Sequence, residues 1–286
     1  MTPESTFVEA NGLRLHYLRW REGGERGPII MNHATGFLAA LWQPIAERLA
    51  AAGYEAIAYD ARGHGDSDKP DPSDENYHWQ RFVDDLEAFL TKLGLHSIPF
   101  VGHSFGGATG LYLAGGRIGV LSRIAVIEPI VMPGGFQPDE ERREAMAAGA
   151  RRRRTSFASR EEMIDQYRSR STFQRWTEES LRLYAEHGTF EGENETIRLK
   201  CPAEVEGDIF SHSGSLNIWD VLPQIGVPVL IMAGEHTEDF LDMVAQGVAQ
   251  RIPNGRFQQL PGAGHLAPME RPDIVAAEIL AFLNHA

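Results

Sequence analysis

The sequence holds a single cysteine, Cys201, in 286 residues, which excludes an intrachain disulfide and any zinc cluster built on cysteine. Positive charge is scarce as well: 27 Lys and Arg stand against 40 Asp and Glu, for a formal net charge of −13. A chain this acidic repels phosphate backbones and anionic lipid surfaces, so neither nucleic acid nor membrane is an expected partner. Cations gather in one place only, over 138–175, where ten arginines face seven acidic residues. A long apolar run is missing too. The longest stretch without formal charge lies between Lys92 and Arg117, and Pro99, His103, Ser104 and a glycine cluster interrupt it, which suits a strand, turn and helix better than a membrane span. Met1–Ala10 carries Glu4 and Glu9 and no apolar stretch behind a basic start, so a cytoplasmic protein without a secretory leader is expected. No pair of histidines has the spacing of a metal site, and no metal or organic cofactor is implied.

What is present is an alternation of short apolar strands and amphipathic helices. Asn11-Gly12 between two alternating runs marks a tight hairpin. Ile29–Met31, Tyr54–Tyr59, the run from Pro99, Arg123–Ile127, Val227–Met232 and Arg256–Leu260 read as strands, with helical stripes such as Phe82, Leu86, Phe89, Leu90 and Leu93 between them. That rhythm predicts an α/β fold: a mostly parallel central sheet covered by helices on both faces. It breaks at Pro133-Gly134-Gly135 and resumes at Val227, and from Asp139 to about Glu186 the pattern is helical only. The expected organisation is a core of 1–133 and 216–286 with a helical insertion over 134–215.

Gly102-His103-Ser104-Phe105-Gly106 follows a strand and opens a helix, the context in which G-x-S-x-G is a nucleophile elbow. A serine on so sharp a turn needs neighbours without bulk two residues to either side, and it stands above the sheet at the positive end of the helix. A hydroxyl of this kind needs a base. His265, in a glycine-flanked loop between the last strand and the last helix, comes late in the chain, as the order Ser, acid, His requires. His103 is expected to pack in the core, and His33, His64 and His236 to structure loops. The oxyanion of a tetrahedral intermediate needs backbone donors: the amide of Phe105, and one from the loop His33–Phe37.

With these motifs in place the sequence resembles the α/β-hydrolase fold over nearly its whole length. Asn32–Phe37, Asp60–Pro70, Gly102–Gly107 and Gly262–Pro272 carry the likeness. The first resembles the His-Gly oxyanion motif, with Ala34 in place of the usual glycine, and implies that the Thr35 amide faces the oxyanion. Asp60–Gly65 resembles a structural loop of that fold. The resemblance fails at the triad acid: its common slot, three residues after Gly234, holds Thr237. A minority of the fold, including haloalkane dehalogenases, places the acid after the strand that follows the nucleophile, and Ile127–Pro133 resembles that segment, with Glu128 24 residues after Ser104. Glu128 is therefore the expected acid and Asp239 the alternative. Serine at 104, where dehalogenases and epoxide hydrolases use aspartate, implies acyl transfer to water through a serine ester.

The expectation is a serine hydrolase with a Ser104–His265–Glu128 triad acting on a small acyl substrate, as monomer or homodimer. A carbon–carbon bond hydrolase, lactonase, thioesterase or perhydrolase of the same fold, and a slow-turnover hydrolase-like receptor, remain alternatives. Where the insertion falls, the resemblance implies a lid; Phe37 and Met132 of the core and Phe173 and Trp176 of the insertion are the expected substrate contacts. Arg151–Arg154 is expected to form a solvated helix face balanced by Glu140, Glu141 and Glu144, and Cys201 to be structural.

Overall fold

The computed structural model describes residues 1–23, 25–134 and 140–284; the expected start of the insertion's helical pattern at Asp139 lies outside them. The hairpin forms as its turn residues require. β1 (Glu4–Ala10) and β2 (Leu13–Arg21) pair antiparallel around Asn11 and Gly12, both at positive φ. β3 (Pro28–Asn32), β4 (Glu55–Tyr59), β5 (Ile98–His103) and β6 (Leu121–Ile127) follow. The insertion contributes β7 (Ser156–Phe157), β8 (Thr189–Glu191) and β9 (Ile197–Leu199), and β10 (Val229–Gly234) and β11 (Gly255–Leu260) return the chain to the main sheet.

The main sheet has eight strands in the order β1-β2-β4-β3-β5-β6-β10-β11. β2 pairs antiparallel with β1 and β4, and every other pairing is parallel. Side chains alternate between faces, so each central strand feeds two cores. Ile30 packs on one face with Phe82, Phe89 and Leu111, and with Val248 of the helix Asp239–Arg251. Ile29 and Met31 pack on the other, with Ile45 and Leu49 of the helix Gln43–Ala51 and Val275 and Ile279 of the helix Pro272–Asn284. The α/β expectation holds.

This order sets the place of the site. The chain leaves β3 toward β4 on one side, then returns to lay β5 on the other, so the loops after β3 and β5 open a crevice at the carboxyl ends of two adjacent parallel strands. Open α/β sheets bind ligands at such switch points.

Between β6 and β10 the helices Glu140–Arg151, Arg160–Arg168 and Glu178–His187 fall in the stretch expected to be helical, and the helix Ala203–Ser211 follows. The helix-only expectation needs one correction: β7 interrupts that stretch and makes a separate antiparallel sheet with β9 and β8, which lie beyond it. Strands of two and three residues are too short to show a period in sequence. Arg151–Arg154 also departs from expectation. Arg151 pairs with Glu204 and Asp208, Arg153 with Glu206 and Arg154 with Glu162; the partners come from elsewhere in the fold and not from Glu140, Glu141 or Glu144. Among the described residues no helix is long and apolar enough to cross a membrane.

Candidate active site

Ser104 sits between β5 and the helix Phe105–Gly116 at φ 53° and ψ −115°, a strained conformation for a side chain with a Cβ. The flanking glycines make it possible. A Cβ on Gly102 would lie 2.6 Å from the Gly107 Cα, and one on Gly106 would lie 2.5 Å from the carbonyl oxygens of Asn32 and His33. Both obstacles are backbone, so no side-chain rotation relieves them. The turn is also tied to the next strand, because the Ser104 amide donates to the Ile127 carbonyl (2.8 Å).

Glu128 begins where β6 ends, and β6 lies between β5 and β10. Its side chain is wholly buried (0% exposed) and its φ is 45°. Three donors meet the carboxylate: His265 Nδ1 on Oε2 (2.6 Å), Thr237 Oγ1 on Oε2 (2.6 Å) and the Gly234 amide on Oε1 (2.8 Å). Burial by itself raises a carboxyl pKa; here those donors outweigh it and hold Glu128 below its ordinary range. Thr237 occupies the slot where the acid is commonly found, and its hydroxyl donates to the Glu128 carboxylate. Asp239 is exposed at the start of its helix.

Three other histidines frame the site. His103 Nε2 donates to the His265 carbonyl (2.8 Å), and burial pushes its pKa down to about 3. Burial also lowers His33 and His64. His64 donates from Nδ1 to the Arg62 carbonyl and accepts the Gly36 amide on Nε2 (2.9 Å); His33 donates to the Ala34 carbonyl and accepts the Ala61 amide (3.0 Å). Neutral rings with one donor and one acceptor nitrogen fit these bonds. In this loop the Gly36 amide is occupied by His64 and the Phe37 amide by the Ala34 carbonyl. Thr35 N is left without an acceptor among the described residues. Gly36 takes the positive φ of 81°, so Ala34 in the usual glycine place imposes no strain. The Phe105 amide, in the first turn of its helix, has no intrahelical partner.

Asp60 anchors the Asp60–Gly65 loop. It accepts from His16 Nδ1 (2.7 Å) and from the amides of Ala39 (2.7 Å) and Asp66 (2.9 Å), and Arg62 makes a buried two-point pair with Asp85. His16, Asp60 and Asp66 place ligand-type atoms within 4.8 Å of one another, but those bonds already engage Asp60 as a brace.

Ser104, His265, Thr35 and Phe105 line one cavity of about 760 Å³, together with Phe37, Met132 and Phe173. Trp176 does not line it. It is 6% exposed and packs behind the wall against Phe37, Phe173 and Tyr184, a placement that its aromatic character alone does not reveal. Cys201 is buried, and burial pushes its thiol up to about 12, which keeps it protonated and inert.

An open parallel sheet with a serine on a strained strand–helix turn, and a His–carboxylate pair beside it, defines the hydrolase class. The chain belongs to the alpha/beta hydrolase family, whose model matches residues 29–278. It is similar to a non-heme chloroperoxidase of Kitasatospora aureofaciens, 26% identical with 96% of this chain and 97% of that protein covered. It is also similar to an N-formylmaleamate deformylase of Pseudomonas putida, 27% identical with 97% and 96% covered. The solved structure of an E-2-(acetamidomethylene)succinate hydrolase shares the fold, with a TM-score of 0.81 at 20% identity over 99% of each chain.

Proposed function

We propose that this protein is a serine hydrolase that cleaves a carboxylic ester or a related acyl compound through an acyl-enzyme. The observation that carries the reading is the 2.6 Å contact between His265 Nδ1 and the buried carboxylate of Glu128, which follows β6, the neighbour of the strand β5 that leads into Ser104. Ser104 Oγ attacks the acyl carbon while His265 Nε2 takes its proton, and the amides of Phe105 and Thr35 receive the oxyanion. Collapse of the tetrahedral intermediate breaks the bond to the leaving group, which takes the proton from His265. A water molecule, deprotonated by His265, then releases the acid and restores Ser104. Glu128 holds the imidazole in the tautomer with Nδ1 protonated and stabilises the imidazolium. The segment 134–215 acts as a lid that sets substrate choice, while 1–133 and 216–286 supply the chemistry.

The similar proteins are named for different reactions, a haloperoxidase and a deformylase among them, so the reaction class is argued from the site and not from the fold. A fluorophosphonate is expected to label the chain once, at Ser104, and Ser104→Ala to lower kcat on 4-nitrophenyl esters by about 10⁴-fold or more. Labelling at another serine, or an alanine variant with full activity, refutes the assignment.

A further inference from the structure

The cavity that holds Ser104 and His265 is rich in cations although the chain as a whole is acidic. Its wall carries Arg142, Arg143, Arg153, Arg170 and Arg175 against three glutamates. Each of those glutamates is engaged: Glu238 by Arg142 (2.9 Å), Glu206 by Arg153 (2.5 Å) and Glu270 by the Gly264 amide (2.5 Å). Among the described residues the remaining arginines lack comparable partners. There Arg143 meets Glu140 alone, at 3.8 Å, an exposed carboxylate on its own helix. Arg170 and Arg175 meet no acidic residue among the described residues. The acids closest to them in sequence, Asp165 and Glu178, are taken by Arg168.

Arg170 is not loose: its guanidinium lies over the Tyr167 ring, 5.5 Å from the centroid, and Tyr167 is itself buried in the cavity wall. The same segment gives the cavity the hydroxyls of Ser171 and Thr172, neither of which has a side-chain partner among the described residues. Guanidinium groups that face one cavity favour an anion in it through charge-assisted bonds. The surplus over the glutamates is small, which suits one or two carboxylates and not a polyphosphate. The rest of the wall includes Phe37, Met132 and Phe173, which suit an organic body.

We infer that the substrate carries a carboxylate away from the bond that is cleaved, and that Arg170 and Arg175, with Arg143 in the wall of the same cavity, recognise it. Its kinetic consequence rests on Ser104 being the nucleophile; its binding consequence does not.

Two measurements test it. The first compares mono-4-nitrophenyl adipate with the same ester capped by methyl at its free acid. A kcat/KM ratio of about tenfold or more in favour of the anion is expected, collapsing toward one in Arg170→Gln/Arg175→Gln and shrinking as salt screens the pair. The second titrates adipate into Ser104→Ala by calorimetry, where the added Arg170→Gln/Arg175→Gln change is expected to weaken binding by a similar factor. Equal rates on the two esters, or an equal loss on both in the double variant, overturns the inference and leaves the acyl-enzyme reading standing. Arginine-dependent adipate binding without fluorophosphonate labelling at Ser104 does the reverse. Inorganic phosphate binding more tightly than adipate overturns the carboxylate assignment.

Discussion

Glu128 shows how one side chain acquires a role through bonds made far along the chain. Its carboxylate is buried at the end of an apolar strand, where an ionised group without partners is costly, and residues 234, 237 and 265 remove that cost. Glu128→Gln is expected to keep the fold and lower kcat by about 10³–10⁴-fold, the scale seen when a triad acid is made neutral. Asp239→Asn is expected to cost less than about tenfold, and steady-state kinetics that rank the two the other way would refute the role of Glu128. Thr237→Val removes one of three donors and leaves the carboxylate buried, so chemical denaturation should show a loss of about 1–3 kcal/mol at neutral pH. The sign with pH follows from the lowered carboxyl. The stabilisation that Glu128 gains from its donors is present above the unfolded carboxyl value and fades as pH falls through the folded one. The difference between wild type and Thr237→Val should therefore narrow in acid.

At the scale of elements, the insertion divides its aromatic residues between two tasks. Phe173 lines the cavity, and Trp176 fills the packing behind it. Phe173→Ala is expected to change the relative rates on short and long acyl esters. Trp176→Ala is expected to cost about 3–5 kcal/mol of stability, measured by denaturant titration, with a smaller effect on chain-length preference. Equal changes of preference in both variants would count against this division. The elbow depends on elements too. Gly106→Ala puts a methyl group against the carbonyl oxygens of Asn32 and His33, so it should slow fluorophosphonate labelling of Ser104 even though the serine is untouched.

The whole molecule responds to pH through histidines it has buried as neutral rings. His33, His64 and His103 all have lowered pKa values, with burial as the largest cause. The unfolded chain binds protons at these positions near pH 6.5, and the folded chain does not until lower pH. Stability is then complete above about pH 6.5 and declines as pH falls below it. Each ring that stays neutral in the folded chain adds up to about 1.4 kcal/mol per pH unit to that slope. Thermal unfolding followed by circular dichroism should show the midpoint dropping between pH 7 and 5, before most carboxylates titrate. In His103→Gln the slope should be shallower than in the wild type. A midpoint that is flat over that interval would contradict the burial of these rings in the neutral form.

The sequence by itself determined the parallel α/β layering and the elbow at Ser104, because both rest on local order: apolar periods a few residues long, and glycines at fixed offsets from one serine. It also pointed to His265 through chain order, and to Glu128 through the resemblance of Ile127–Pro133 to the segment where a minority of the fold places its acid. Contacts between distant segments were decided only by the tertiary structure. Thr237 and Glu128 are 109 residues apart in sequence, and nothing around Thr237 signals a donor to the Glu128 carboxylate until β6 and β10 lie side by side. The three-stranded sheet of the insertion, the seat of Trp176 behind the cavity and the convergence of Arg143, Arg170 and Arg175 on the chamber of Ser104 are of the same kind. Each depends on which faces meet when the insertion folds over the strand ends, and packing of that sort leaves no period or motif in the chain.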